Sequence, residues 1–296
     1  MVKRKLTASI TSTQTAYFSL HGAVILLALC ALFAKWLTLP ALYIVVGRSL
    51  FAALAILLFC RFNSLSLNLS KHLIIKLALS GLILAMHWWS FFYTIQISSV
   101  TIGLLTFACF PLFVAVMSIA LKLQKLTVSI LVQALLCILG IYLVEAAQPI
   151  AQSDITALAI GLFSALSFAI LTMFNQKFVQ HCSPIAVTFW QNLFAGLWLC
   201  PALFIYQIWP SANETLLIAL LGIVFTALAH SLLLSSLKVI NAFLVSLTLT
   251  LEPLYGITAA WLLLDERLTL SIFAGAGLII LMNYWATREQ INESAN

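Results

Sequence analysis

The sequence predicts an all-α integral membrane protein in which ten transmembrane helices form two inverted five-helix repeats. Of the 296 residues, 64% are hydrophobic and only 7% are charged, and the mean hydropathy is +1.14. Soluble domains carry about 25% charged residues, so much of the surface of this chain must meet lipid. The apolar segments are about 20 residues long, which is typical of membrane-spanning helices and too long for the strands of a β-barrel.

Ten apolar segments can be marked along the chain. They lie at about 17–37, 42–60, 73–96, 100–121, 128–146, 155–177, 185–207, 215–237, 242–264 and 269–286. The connections are short, so consecutive helices should pack as antiparallel neighbours. The chain then divides into a tail (1–16), a first repeat (17–147), a linker (148–154), a second repeat (155–287) and a second tail (288–296).

The distribution of charge predicts the orientation of the helices. If the N-terminus is cytoplasmic, eleven of the fourteen lysines and arginines fall on the cytoplasmic side. Membrane proteins accumulate basic residues on that side. The acids fall at the outer edge, and they are Glu145, Asp154, Glu214, Asp265 and Glu266. Both termini are therefore expected in the cytoplasm, and the net charge of +6 reflects this bias and does not indicate nucleic-acid binding.

The two halves of the chain share residues at a nearly constant spacing. The matched pairs, 142 or 143 residues apart, are His87 and His230, Arg48 and Gln191, Pro111 and Pro253, and Lys125 and Arg267. Each half has an odd number of spans, so equivalent helices cross the membrane in opposite directions. This pattern indicates an inverted repeat, in which a solute site lies near the membrane midplane between the halves.

The ninth span carries the carboxylate of Glu252 about 15 Å from either end, because the helix rises about 1.5 Å per residue. An ionisable group at that depth usually faces a cavity or a partner. We expect Glu252 to bind an ammonium group or to exchange a proton. The alternative is a structural acid that is neutral or permanently paired. Thr248 and Tyr255 lie four and three residues away, on the same helical face.

Arg48 lies in the outer half of the second span. Its planar guanidinium suits bidentate binding of a carboxylate, so we expect it to contact the solute. Two alternatives compete with this expectation. The side chain could form a permanent salt bridge to Glu252, or it could extend to the outer interface.

His87 and His230 are the symmetric pair, and both are candidates for solute binding or proton coupling. The alternative is a neutral histidine that only makes hydrogen bonds. We expect no metal site, since no further ligands converge in the sequence. Trp88 begins an aromatic run after His87, and Trp190 and Gln191 occupy the matching stretch of the second half. These rings suit an apolar or cationic solute, or else they only pack helices together.

Pro111 and Pro253 occupy equivalent positions in the fourth and ninth spans. Each proline removes a backbone donor and disturbs a helical turn. A kink at these positions could let the two halves rock against each other. The alternative is a static kink that neighbouring helices accommodate.

The five-plus-five spans, the Glu252-Pro253 pair and the following Asp265-Glu266-Arg267-Leu268-Thr269 stretch resemble the drug/metabolite transporter superfamily. Within it, the chain is most similar to the EamA-type ten-helix bacterial exporters, from about residue 17 to 287. The resemblance implies a cavity between the repeats, alternating access, and export or exchange of small metabolites across the bacterial inner membrane without a cofactor. Gln124 stands where members often have an acid matching Glu266.

Charge matching favours a secondary transporter that exports an amino acid or a related zwitterion. Arg48 would bind the carboxylate and Glu252 the ammonium group, with a coupling proton or a counter-substrate as further partners. A nucleotide-like or cationic metabolite is the alternative, because the same cavity could hold a base between rings. The sequence lacks a GxxxxGK[ST] loop for an ATP-driven pump and a Gly-x-Ser-x-Gly or HExxH motif for an enzyme. We expect a monomer or a homodimer in the lipid bilayer.

Overall fold

The computed structural model describes residues 2–122, 127–145, 155–201, 203–204 and 208–295. The helices of the first half are α1 (Val2–Cys30), α2 (Phe33–Trp36), α3 (Ala41–Phe62), α4 (Lys71–Ile97), α5 (Val100–Phe107), α6 (Phe110–Ala120) and α7 (Val128–Glu145). The helices of the second half are α8 (Ile155–His181), α9 (Pro184–Leu199), α10 (Ala212–Gly222), a π-helix (Ile223–Leu228), α11 (Ala229–Ser236), α12 (Ala242–Leu249), α13 (Glu252–Leu264) and α14 (Leu270–Ala295). Gln124 and the predicted linker of residues 148–154 lie outside the described residues.

The chain is a multi-pass membrane protein. Within the described residues, seven helical segments are long and apolar enough to cross a membrane: Gln14–Trp36, Ala41–Phe62, Lys71–Ile97, Val100–Ala120, Ile155–His181, Ala212–Ser236 and Ala242–Leu264. All seven coincide with predicted spans. The other three predicted spans fall on α7, α9 and α14. Their membrane-spanning role stays a prediction, and α9 has only 16 residues.

The fourth and ninth spans are each split into two half-helices. The break falls at Ala108–Cys109 in the first repeat and at Thr250–Leu251 in the second, 142 residues later. Pro111 and Pro253 each lie in the first turn of the following half-helix, where the absence of a proline N–H costs no helical hydrogen bond. The four residues at the two breaks keep right-handed helical dihedral angles, and i→i−3 backbone hydrogen bonds occur at both breaks, so each span remains one membrane-length segment with a local distortion before its proline. Thr248 lies before the break in the ninth span and Glu252 follows it.

The half-helices also begin in the same way. Ser99 caps α5 by accepting a hydrogen bond from the Ile102 amide, and Asn241 caps α12 by accepting one from the Leu244 amide. Asn241 follows Ser99 by 142 positions, and Leu244 follows Ile102 by the same number. Equivalent caps and equivalent breaks indicate that the two spans are copies of one structural unit, as the repeat predicts.

A pair of glycines packs the repeats together through equivalent contacts. A Cβ placed on Gly81 would lie 2.7 Å from Phe194 Cβ and 3.0 Å from the Gln191 carbonyl oxygen. A Cβ placed on Gly222 would lie 2.6 Å from Phe51 Cβ and 2.7 Å from the Arg48 carbonyl oxygen. Phe51 and Arg48 precede Phe194 and Gln191 by 143 residues. Helix α4 therefore packs against α9 in the same way as α10 packs against α3. In both pairs a glycine lets the two backbones approach closely.

Hydrogen bonds join the two repeats at the end of the bundle that carries the turn after α13, here called the Glu266 end. The Glu266 carboxylate accepts hydrogen bonds from the Val100 and Thr101 amides at 2.8 and 3.2 Å, and from the Thr101 hydroxyl at 2.7 Å. These amides are unpaired within α5, and its N-terminus favours an anion. The Thr38 hydroxyl also donates to the Glu214 carboxylate at 2.7 Å. Glu266 thus completes the N-terminus of a helix in the opposite repeat.

Candidate functional site

A cavity lies between helices of both repeats, beside α4 and at the start of α13. Its volume is about 30 Å³, which is room for about two water molecules. The polar side chains that line it are Cys30, Arg48, His87, His230 and Glu252, and the aromatic ones are Trp88, Phe91, Phe107 and Phe168. The structure therefore brings together the arginine, the carboxylate and both histidines that the sequence singled out.

Arg48 is fully buried and only partly hydrogen-bonded. Its Nε donates to the Thr226 hydroxyl at 2.9 Å, and its Cζ lies 4.1 Å from the Trp88 ring centre and 5.1 Å from that of Phe92. Within the described chain, Nη1 and Nη2 have no hydrogen-bond partner. The Cys30 thiol interacts with the guanidinium, but sulfur is a weak acceptor. The side chain does not extend to the interface, because none of its surface is exposed.

The contacts of Arg48 compensate only part of the free-energy cost of burying its charge. A desolvated cation over an aromatic ring gains about 2 kcal/mol. Removing an ion from water costs several kcal/mol even after the protein relaxes. The ring contacts and one hydrogen bond therefore offset only part of this cost, and a carboxylate that reached Nη1 and Nη2 would add a strong charge-assisted pair.

Glu252 is 4% exposed and is the first residue of α13. The helix break puts its carboxylate beside a helix N-terminus, where the backbone dipole favours negative charge. No hydrogen bond joins it to Arg48, although both side chains line the same cavity. The permanent salt bridge considered from the sequence is therefore not formed in this conformation. The cavity is instead lined by a guanidinium group and a carboxyl group that are not hydrogen-bonded to each other.

The two symmetric histidines have different surroundings. His87 Nδ1 lies 2.9 Å from the Ser164 hydroxyl and 3.0 Å from the Ser164 carbonyl oxygen. Both ring nitrogens of His230 are buried, and neither has a hydrogen-bond partner among the residues described. The His230 ring packs edge-on against Trp88, with ring centres 5.9 Å apart. His87 is therefore held in place by hydrogen bonds, whereas His230 lines the cavity without a hydrogen bond to either ring nitrogen from the described residues.

Aromatic rings from both repeats surround His87. The Phe168 ring centre lies 4.5 Å and the Phe107 ring centre 5.4 Å from the imidazole, and the two phenyl rings lie 5.3 Å apart. Sequence reasoning missed Phe107 and Phe168, since a phenylalanine in an apolar span has no distinguishing pattern. They give one side of the cavity an apolar surface suited to a hydrophobic group.

Thr226 is a further residue that sequence reasoning missed. It is fully buried, lies in the π-helix and bonds to Arg48 Nε. A usable signal was present, because Thr226 is a hydroxyl residue four positions before His230 in an otherwise apolar stretch. Isolated π-helical turns within α-helices are frequent at functional sites.

Three predicted site residues lie away from the cavity. The Trp190 indole donates to the Leu67 carbonyl at 2.9 Å. The buried Gln191 side chain donates to the Ser80 hydroxyl at 2.9 Å and to the Asn175 carbonyl oxygen at 2.6 Å. The Tyr255 side chain is 38% exposed, because it lies on the side of α13 opposite the bundle interior. Any solute contact by these residues stays a prediction.

Comparison with known proteins gives a consistent match. The model of the EamA-like transporter family matches residues 14–146 and again residues 155–286. A solved structure superposes with a TM-score of 0.70 at 15% sequence identity, over 94% of this chain and 96% of the other. At that identity the superposition shows a shared fold alone.

Three relatives are similar in sequence. An uncharacterized transporter of Archaeoglobus fulgidus is 27% identical over 182 residues, which is 61% of this chain and 65% of the relative. The uncharacterized transporter YxxF of Bacillus subtilis is 24% identical over 258 residues, or 84% and 82% of the two chains. An S-adenosylmethionine uptake transporter of Rickettsia bellii is 26% identical over 202 residues, or 68% of each chain.

Proposed function

Because this chain belongs to the EamA-like transporter family, we propose that it is a secondary transporter for an amino acid or a related zwitterion. One observation carries this proposal. The unpaired Nη1 and Nη2 of Arg48 and the carboxylate of Glu252 line one aromatic-sided cavity without bonding to each other. A carboxylate and an ammonium group on a small molecule would complement this pair. The phenylalanine rings would contact the apolar side chain of the solute.

Transport requires this cavity to change size. About 30 Å³ is far smaller than the pockets of about 300–1,000 Å³ that hold small molecules in proteins. The fourth and ninth spans supply natural hinges, because i→i−3 backbone hydrogen bonds replace part of the α-helical pattern just before Pro111 and Pro253. Rocking of the repeats about these breaks would widen the cavity toward one side of the membrane at a time.

We infer that the direction of transport is outward. The positive-inside bias favours an orientation with both termini in the cytoplasm and the Glu266 end on the outer side of the bacterial inner membrane. The bonds from Glu266 to α5 and from Thr38 to Glu214 hold that end together. In an outward cycle, as the resemblance to EamA-type exporters implies, a solute would enter from the cytoplasm, and its release would require these bonds to break. A coupling proton or a counter-substrate would drive the cycle.

A nucleoside-bearing zwitterion is the second candidate. S-adenosylmethionine joins an amino-acid group to a sulfonium centre and an adenine base, and a relative of this chain is named as its uptake transporter. The observation that favours this candidate is the group of rings formed by Phe107, Phe168 and His87. A base could stack on such rings once the cavity widened. Uptake would be the opposite of the direction proposed above.

The test is counterflow in proteoliposomes loaded with single amino acids or with S-adenosylmethionine. Arg48→Gln and Glu252→Gln should each lower the rate at least tenfold, since each leaves one charge of the solute buried and unpaired. Arg61→Gln and Asp265→Asn are the matched controls. Both side chains are exposed, and the two substitutions likewise replace a guanidinium or a carboxylate by an amide, but away from the cavity. Wild-type rates in both cavity variants would refute the site, and the preferred solute would decide between the candidates.

A further inference from the structure

The Thr226 hydroxyl both donates and accepts a hydrogen bond. It donates to the Leu221 carbonyl oxygen at 2.8 Å, five residues back along the chain. It accepts from Arg48 Nε at 2.9 Å. A hydroxyl has one hydrogen to donate, and the Leu221 carbonyl takes it. The lone pairs of Thr226 Oγ1 are therefore the part of the side chain that faces Arg48.

This contact decides which edge of the guanidinium remains available. Arginine can bind a carboxylate through Nη1 and Nη2 together, or through Nε and one Nη. Thr226 occupies Nε, and the guanidinium carbon lies over the Trp88 and Phe92 rings. The edge formed by Nη1 and Nη2 is the one without a protein hydrogen bond in the described chain.

The π-helix is what brings Thr226 to Arg48. Gly81 and Gly222 make equivalent contacts in the two repeats, yet six residues separate Gly81 from His87 and eight separate Gly222 from His230. The π-helix Ile223–Leu228 lies within the longer segment, whereas α4 is α-helical throughout. A π-helical turn places residue i beside residue i−5, which matches the Thr226–Leu221 bond.

The equivalent contact in the other half of the molecule carries no charge. The counterpart of Arg48 in the second repeat is Gln191, whose Nε2 donates to the Ser80 hydroxyl of α4 and to the Asn175 carbonyl oxygen, away from the cavity. The Thr226–Arg48 pairing therefore belongs to one side of the pseudo-symmetric molecule. Such an asymmetry suits a solute whose two ends differ chemically.

We propose that Thr226 is a positioning residue that sets specificity for a carboxylate, an inference that rests on the proposed function. By holding Nε, it orients Arg48 so that Nη1 and Nη2 face the solute. Without it, the guanidinium would turn to satisfy Nε, and the bidentate geometry for a carboxylate would be lost. Thr226 itself does not contact the solute.

The test compares L-methionine with L-methioninamide, which keeps the ammonium group and the side chain but lacks the carboxylate. Binding of radiolabelled methionine to the purified protein, with unlabelled amide as competitor, gives both affinities. Thr226→Val, of nearly equal shape, should weaken methionine binding about tenfold and leave amide binding within about twofold. Thr226→Ser keeps the hydroxyl and should restore the preference. Thr226→Ala replaces the valine variant if the latter is not monodisperse.

Each outcome decides the proposal. If Thr226 had a purely structural role, Thr226→Val would weaken the binding of methionine and of its amide equally. That result would overturn the positioning role. If Arg48→Gln abolishes the preference for methionine while Thr226→Val retains it in full, the proposed function stands and the positioning role fails. A wild-type protein that does not prefer methionine over its amide would overturn both.

Discussion

Replacement of Gly222 by alanine should destabilise the protein, because the new methyl group has no space. It would lie 2.6 Å from Phe51 Cβ, 2.7 Å from the Arg48 carbonyl oxygen and 3.2 Å from the Ala52 amide nitrogen. Two of these three neighbours are backbone atoms, which cannot move aside by a rotamer change. Helices α3 and α10 would have to separate, at the point where α3 carries Arg48.

The size of the effect follows from two opposing terms. Overpacking of a well-packed interior costs about 1–3 kcal/mol, and a clash with backbone atoms should lie near the upper value. Alanine offsets about 1 kcal/mol of this through its higher helix propensity. The net loss is about 2 kcal/mol. Gly81→Ala should behave alike, because its Cβ would meet Phe194 Cβ at 2.7 Å and the Gln191 carbonyl oxygen at 3.0 Å.

Gly277→Ala is the matched control, since a Cβ at Gly277 would meet nothing within 4 Å. Only the helix-propensity gain of about 1 kcal/mol applies there. The control and Gly222→Ala should therefore differ by about 3 kcal/mol, which corresponds to roughly 5–10 °C in apparent Tm. Thermal unfolding of the purified proteins in one detergent measures this difference. A Gly222→Ala variant that melts at or above Gly277→Ala would refute the close contact between α3 and α10.

Two further predictions concern other contacts. Glu266→Gln removes the anion from the N-terminus of α5 and should favour opening of the Glu266 end by roughly tenfold. In a variant with Cys30 as its single cysteine, a membrane-impermeant maleimide added outside intact cells should then label Cys30 roughly tenfold faster. Unchanged labelling would contradict this role of Glu266. Trp190→Phe removes the hydrogen bond to the Leu67 carbonyl and should cost about 1 kcal/mol of stability while leaving the counterflow rate unchanged. A selective loss of solute affinity in that variant would instead support the binding role that the sequence predicts for Trp190.

Much of the architecture could be predicted from composition and spacing. A chain with 7% charged residues cannot cover itself with solvated groups, so the membrane environment follows from composition alone. The spacing of Pro111 and Pro253 located the two equivalent spans, because a proline can enter a helix without loss only in its first turn. What the spacing did not specify was the local geometry, in which i→i−3 hydrogen bonds replace part of the α-helical pattern just before each proline.

The candidate site was only partly predictable. Arg48, Glu252 and the two histidines stood out because ionisable groups are rare at membrane depth, and the structure groups all four around one cavity. Gln191 stood out because it matches Arg48 in the second half of the chain, yet its amide bonds to Ser80 and Asn175 away from that cavity. Polarity marks a residue as unusual, whereas its neighbours determine whether it faces a cavity or a hydrogen-bonding partner.

The amino-acid sequence by itself determined the membrane fold, the repeat and the set of charged groups that must be buried. The tertiary structure alone decided which of them meet, because helix packing brings together residues from seven helices at one cavity. It also decided that Arg48 is held through Nε by Thr226. That bond depends on a π-helical turn, whose extra residues shift the register of one helix against the next, and hydrophobic periodicity does not record such a shift.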